Sequence, residues 1–154
     1  MVLVFYNCYS SYIMENLKII DTDWLAGYFA DDPVRPHIPY AFRVSDNRKS
    51  FALLDAEGTP RAIICTAFTD GVATTEKQLA NPGNCAMFYT VWSYDKGAGR
   101  DIVFAVTDWI RQNMPEVDRF VTLSPPTEMA RKFHTRNGAF ELQHNGETVN
   151  FEYA

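Results

Sequence analysis

The chain is poor in cysteine. Its 154 residues hold three, Cys8, Cys65 and Cys85, with no Cys-x-x-Cys among them. An odd count without that spacing suggests neither a disulfide framework nor a zinc knuckle and fits a reducing cytoplasm, with no metal expected. Basic charge is also scarce. Lys and Arg number 14 against 19 Asp and Glu, a net charge of −5, whereas a nucleic-acid binder working by phosphate neutralisation wants a basic face. Long apolar runs are missing too: no stretch reaches the roughly 18 residues of a membrane span. The apolar opening, residues 1–7, is short and has no basic lead-in of the kind that starts a secretory signal. Repeats and low-complexity tracts do not occur. Neither a nucleic acid nor a membrane is expected as partner.

What the chain has in quantity is core material, 47% apolar and 14% aromatic residues. At this length such a composition predicts a single compact domain over residues 1–154.

Residues 1–6 and 12–20 both carry strand-like residues, and the sequence leaves open which of them is the first strand. Asp21 reads as an N-cap for a helix over 22–30, whose face carries Trp24, Leu25, Tyr28 and Phe29, ended by Asp31-Asp32-Pro33. Pro33, Pro36 and Pro39 make the next segment a loop or broken helix. Residues 50–55 and 61–69 read as an antiparallel hairpin, and the polar stretch 70–84 as an extended tip or insertion. The run 85–94 is nearly all apolar, as in a strand covered on both faces. A helix follows, striped by Ile102, Val106, Trp109 and Ile110 and ended before Pro115. Residues 119–123 form a further strand. The last helix begins after Ser124-Pro125-Pro126, proline being tolerated in a first turn, and stops at Asn137-Gly138. Residues 140–144 and 148–153 pair across Asn145-Gly146. This order is α+β.

Between the apolar strand and the striped helix lies Tyr94-Asp95-Lys96-Gly97-Ala98-Gly99-Arg100. Two glycines let backbone N–H groups approach anionic oxygens, and the helix beginning near Arg100 aims its unpaired amides at the same spot. The third glycine and downstream acid of a dinucleotide fold are missing, as is the Gly-Lys-Ser/Thr ending of a P-loop. The turn resembles instead the acetyl-CoA signature of the GNAT superfamily of N-acetyltransferases, Gln/Arg-x-x-Gly-x-Gly/Ala. Gly97 and Gly99 match, while Tyr94 stands where the family has Gln or Arg, and Lys96 and Arg100 offer replacement charge. Residues 119–140 resemble the family's later motif, Ala-x-x-Leu-Tyr-x-x-x-Gly-Phe. Ala130 and Phe133 take the Ala and Leu positions, His134 the Tyr position, and the Gly-Phe pair is stretched to Gly138-Ala139-Phe140.

The resemblance implies a mostly antiparallel central sheet whose fourth and fifth strands splay apart. It implies acetyl-CoA (CoA) as co-substrate, its pantetheine arm pairing with backbone near Tyr89 and Val91, its pyrophosphate on residues 94–100, and Phe133 closing the site. The expected reaction is acetyl transfer to a primary amine of a small molecule or protein. The amine must lose a proton, the oxyanion needs donors, and the leaving thiolate takes a proton. His134 is the candidate acid, on the ground that an imidazole of pKa ~6.5 carries a proton near neutral pH. For the base, Tyr89, Ser124, Glu57, Glu76, His37 or a relayed water remain open. Arg131, Lys132 and Arg136 read as complementing the helix C-terminus. Tyr28, Asp31, Asp32, His37, Tyr40 and Trp92 flank the acceptor side as an acidic, aromatic rim suited to a cationic amine. The alternatives are a catalytically inactive CoA-binding or interaction module of the same fold and, disfavoured by charge, a nucleic-acid acyltransferase. A homodimer is left open.

Overall fold

In a computed structural model, residues 16–21 and 23–154 are described. Among them, seven strands form one sheet: β1 (Leu17–Ile19), β2 (Arg48–Leu54), β3 (Pro60–Thr69), β4 (Cys85–Ser93), β5 (Arg119–Thr122), β6 (Phe140–His144) and β7 (Val149–Tyr153). Their spatial order is β1-β2-β3-β4-β5-β7-β6, and every neighbouring pair is antiparallel except β4 and β5. The described α-helices are α1 (Asp23–Ala26), α2 (Tyr40–Arg43), α3 (Ala98–Asn113) and α4 (Glu128–Arg136), with 3-10 segments at Gly27–Asp31 and Glu76–Ala80. This is the α+β class expected. A parallel pair needs a crossover, and α3 supplies it between β4 and β5.

The first strand of the described sheet falls in the second of the two candidate segments; residues 1–6 lie outside the described residues, as does Cys8. The helix expected over 22–30 is one α-turn that tightens into 3-10 geometry, so Leu25 and Phe29 are buried while Trp24 faces solvent. As expected, α4 begins after Pro125 and Pro126. Its N-cap is Thr127, whose Oγ1 accepts from the Ala130 N–H at 3.2 Å.

Two apolar layers sandwich the sheet. Ile102, Val106 and Ile110 of α3, with Ala86, Phe88 and Phe151, form one. Leu25, Phe29, Leu79, Met87 and Tyr89 belong to the other. Among the described residues no helix is long and apolar enough to cross a membrane.

A β-bulge in the middle of β4 sets up everything that follows. Phe88 faces Thr66 and Thr90 faces Cys65, leaving Tyr89 as the extra residue. An inserted residue breaks the two-residue alternation of a strand. Before the bulge Met87 and Tyr89 share one face; after it Val91 packs with the α3 layer and Trp92 with the opposite one.

Candidate active site

β4 and β5 part company at the bulge. Their parallel register ends at Phe88–Thr122, with a last bond from the Leu123 N–H to the Phe88 carbonyl at 2.9 Å. Beyond it Ser124 exchanges both backbone bonds with Val149 of β7, while β4 runs on beside β3 to Ser93. The two strands therefore splay, and the edge of β4 past Phe88, including Val91, faces the gap.

The glycine turn closes the far end of that gap. Gly97 is the N-cap of α3 with φ +84°, a left-handed conformation that favours glycine, and a Cβ there would meet nothing within 4 Å. The Ala98 N–H bonds the Asp95 carbonyl and the Asp101 N–H the Gly97 carbonyl. Helix geometry leaves the Gly99 and Arg100 amides without intrahelical partners, at the positive end of a 16-residue helix. Such a terminus fits a pyrophosphate. Gly99 has a second task. A Cβ on it would lie 3.2 Å from the Phe133 ring, so the glycine is what allows α4 to pack against the start of α3.

The side chains of the turn divide. Lys96 and Arg100 are exposed, the Arg100 guanidinium resting over Phe104. Asp95 pairs with Arg61 at 3.2 Å, and Arg61 also reaches Asp101 at 3.8 Å. Arg61 is thus a cation of this loop that the sequence reading missed, because it sits on β3, far from the motif. Tyr94 turns away: its hydroxyl donates to Asp31 at 2.7 Å and accepts from the Trp92 indole at 3.0 Å. Burial, and then Asp31, push its pKa up to about 12. The Tyr94 side chain ties the loop to the Gly27–Asp31 segment rather than substituting for the family's Gln or Arg.

The three candidate catalytic side chains all lie in the interior. His134, 5% exposed, stacks on Phe151 and meets the Tyr153 hydroxyl through Nδ1 at 2.8 Å. Burial lowers its pKa to about 4. The charged imidazolium expected as acid is therefore scarce at neutral pH, which corrects the ordinary histidine value assumed from sequence. The Tyr89 hydroxyl is sealed in the core with no hydrogen-bond partner, and burial raises its pKa well above the ordinary value. The Ser124 hydroxyl donates to Thr122 Oγ1 at 2.8 Å. Neither geometry suits a base working on an amine.

In the segments expected to flank an acceptor, Asp32 is buried in a charge cluster rather than set on a solvated rim, while Asp31 and His37 stay exposed. Asp32 accepts hydrogen bonds from the backbone of Val34 and Arg35 and from Thr90, and pairs with Arg43 at 2.8 Å. Burial works to raise its pKa; these donors outweigh it and hold the carboxyl below the usual range. Asp32 is thus not a solvated helix stop, and its charge is spent. Arg35, also buried, donates through Nε to Glu76 at 3.0 Å and through an Nη to the Tyr89 carbonyl at the bulge. His37 Nε2 lies 2.9 Å from the second Glu76 oxygen.

Beside this relay opens a cavity of about 520 Å³, walled by Arg35 and Glu76, by Thr74 and Thr75, by Pro125 just past β5, and by Asn145, Glu147 and Thr148 of the β6–β7 turn. It adjoins the splay through Arg35, whose guanidinium reaches both Glu76 and Tyr89. Of the proposed bases, Glu76 lines this wall, with His37 against its carboxylate; Glu57 lies on the β2–β3 turn. Among the described residues no three His, Cys, Asp or Glu gather as a metal site.

Comparison by sequence finds no matching family profile and no matching curated protein. Comparison of structures finds many similar folds. AAC(6')-Ib in complex with paromomycin and acetyl-CoA superposes with a TM-score of 0.67 at 12% identity, over 90% of this chain and 92% of that one. A GNAT-family acetyltransferase of Staphylococcus aureus Mu50 gives 0.60 at 10% identity, over 89% and 98%. Malonyl-CoA decarboxylase of Agrobacterium vitis gives 0.59 at 18% identity over 90% of this chain, which spans only 42% of the decarboxylase. The splayed strands, the glycine-turned helix and these superpositions agree: the chain has the fold of the GNAT superfamily of acetyltransferases.

Proposed function

We propose that the protein is an N-acetyltransferase that moves an acetyl group from acetyl-CoA to a primary amine. The observation that carries this reading is the open edge of β4 beyond Phe88, ending in a glycine turn that aims the α3 N-terminus along the gap. AAC(6')-Ib, which shares the fold, has been crystallised with acetyl-CoA and with coenzyme A.

Bound acetyl-CoA supplies an acetyl thioester, at which the amine forms a C–N bond while the C–S bond breaks, the amine losing one proton and the thiolate gaining one. The Gly99 and Arg100 amides, with Lys96, Arg100 and Arg61 nearby, hold the pyrophosphate. The Val91 backbone pairs with the pantetheine arm; the Tyr89 carbonyl is left to Arg35. The Glu76–His37 pair takes the proton of the amine at the cavity wall. A neutral imidazole is too weak an acid to protonate a thiolate, so the proton the thiolate gains comes through water, and His134 serves by packing against Tyr153 and Phe151.

A second reading, CoA binding without catalysis, draws on the lowered pKa of His134 and the turned-away Tyr94. Incubation with ¹³C-acetyl-CoA and a panel of primary amines separates the two. N-acetylated product by mass spectrometry supports transfer; CoA binding with no product from any amine supports the inactive module.

A further inference from the structure

We infer that the acceptor is a small polyamine in the chemical sense: a molecule with at least one ammonium group besides the nitrogen that reacts. The inference rests on the acetyltransfer reading and sharpens its acceptor side.

The cavity has two distinct walls. On one, Glu76 is held by Arg35 and His37, one guanidinium away from the β4 bulge. The other is the β6–β7 turn, pinned to the first by the Thr148 hydroxyl, which donates to the Thr74 carbonyl at 2.7 Å. On this second wall the polar groups left over accept hydrogen bonds. Asn145 uses both Nδ2 hydrogens internally, on Thr148 Oγ1 at 3.1 Å and Asn150 Oδ1 at 2.8 Å, so its Oδ1 is what remains. Glu147, two residues on, is exposed, and no ion pair compensates it among the described residues. Arg35 offers little positive charge in return, since Glu76 neutralises it.

With Arg35 matched by Glu76, the uncompensated Glu147 beside the Asn145 oxygen leaves the cavity net negative, which favours a donor-rich cation and disfavours a carboxylate. The reacting nitrogen must be neutral to attack, so Glu147 and the Asn145 oxygen cannot serve it best as ammonium ligands. They serve a second ammonium, placed across the cavity from Glu76. Amino acids, whose carboxylate would face Glu147, are disfavoured by the same charge.

The test compares 1,4-diaminobutane with pentylamine, which has the same number of heavy atoms and one ammonium fewer. Steady-state rates at saturating acetyl-CoA are measured beside calorimetric titration of each amine into CoA-saturated protein. The expected result is a kcat/KM at least tenfold higher for the diamine, tighter diamine binding that weakens with salt, and a preference that narrows toward parity in Glu147→Gln. Because Glu147 is exposed on a turn, that variant folds. Diamine binding lost in Glu147→Gln, with no amine acetylated, overturns acetyl transfer and the inference that rests on it. Pentylamine turned over as fast as the diamine, or an amino acid preferred to both, overturns the inference and leaves acetyl transfer standing. A diamine that neither binds nor reacts overturns it as well.

Discussion

Asp32 and Arg43 meet at 2.8 Å with neither side chain exposed at all. Removing one member of a buried pair strands the other's charge, at about 3–5 kcal/mol. Arg43→Ala and Asp32→Ala should each lower stability by that order in urea unfolding. The double variant should cost less than the sum, since the partners share one interaction. Additive losses would show that the pair does not act as a unit.

That pair also marks where sequence reading stops. The hairpin, the apolar strand, the long helix and the glycine turn were legible because each is set by local periodicity or by one residue type at a turn. Asp31-Asp32-Pro33 read as a solvated helix stop for the same reason. Its partners, Arg43 and Thr90, lie 11 and 58 residues away, and nothing local announces them. Arg35 and Glu76 are 41 residues apart, and His134 and Tyr153 are 19. A motif position named His134; only packing against Phe151 and Tyr153 reveals that it is neutral. The bulge at Tyr89 likewise depends on the register with β3, which composition does not encode.

The two glycines of the turn should fail differently. Gly97→Ala meets no neighbour but must adopt φ +84°, at roughly 1–2 kcal/mol. Gly99→Val pushes into Phe133, so its loss of stability should be partly relieved by Phe133→Ala. Both variants should weaken CoA binding in calorimetry. Equal stability of Gly99→Val with and without the Phe133 truncation would refute the packing role.

His134 should make the fold acid-sensitive. Its folded pKa, about 4, lies below the unfolded ~6.5, so above pH ~6.5 it is neutral in both states and the full stability is present. As pH falls through that window the unfolded chain takes the proton first, and up to about 3 kcal/mol is lost by the time pH passes ~4. His134→Gln should lack this component. Identical pH–stability slopes in wild type and variant would contradict the burial argument.

If the Glu76–His37 pair accepts the amine proton, Glu76→Gln should lower kcat by ~10²-fold or more. CoA affinity should change little, because the cavity wall is separate from the glycine turn. Kinetics and CoA titration on the same preparation check both. Unchanged kcat would return the base to a relayed water.

The central claim is that the splay and the glycine turn bind acetyl-CoA, and thermal unfolding against acetyl-CoA concentration tests it most directly. A ligand of the native state at about a hundred times its Kd adds about 2.7 kcal/mol, so the melting temperature should climb by roughly 5–10 °C for a chain of this size. In Gly97→Val the climb should be largely lost. A melting temperature unmoved by millimolar acetyl-CoA in the wild-type protein would contradict the account.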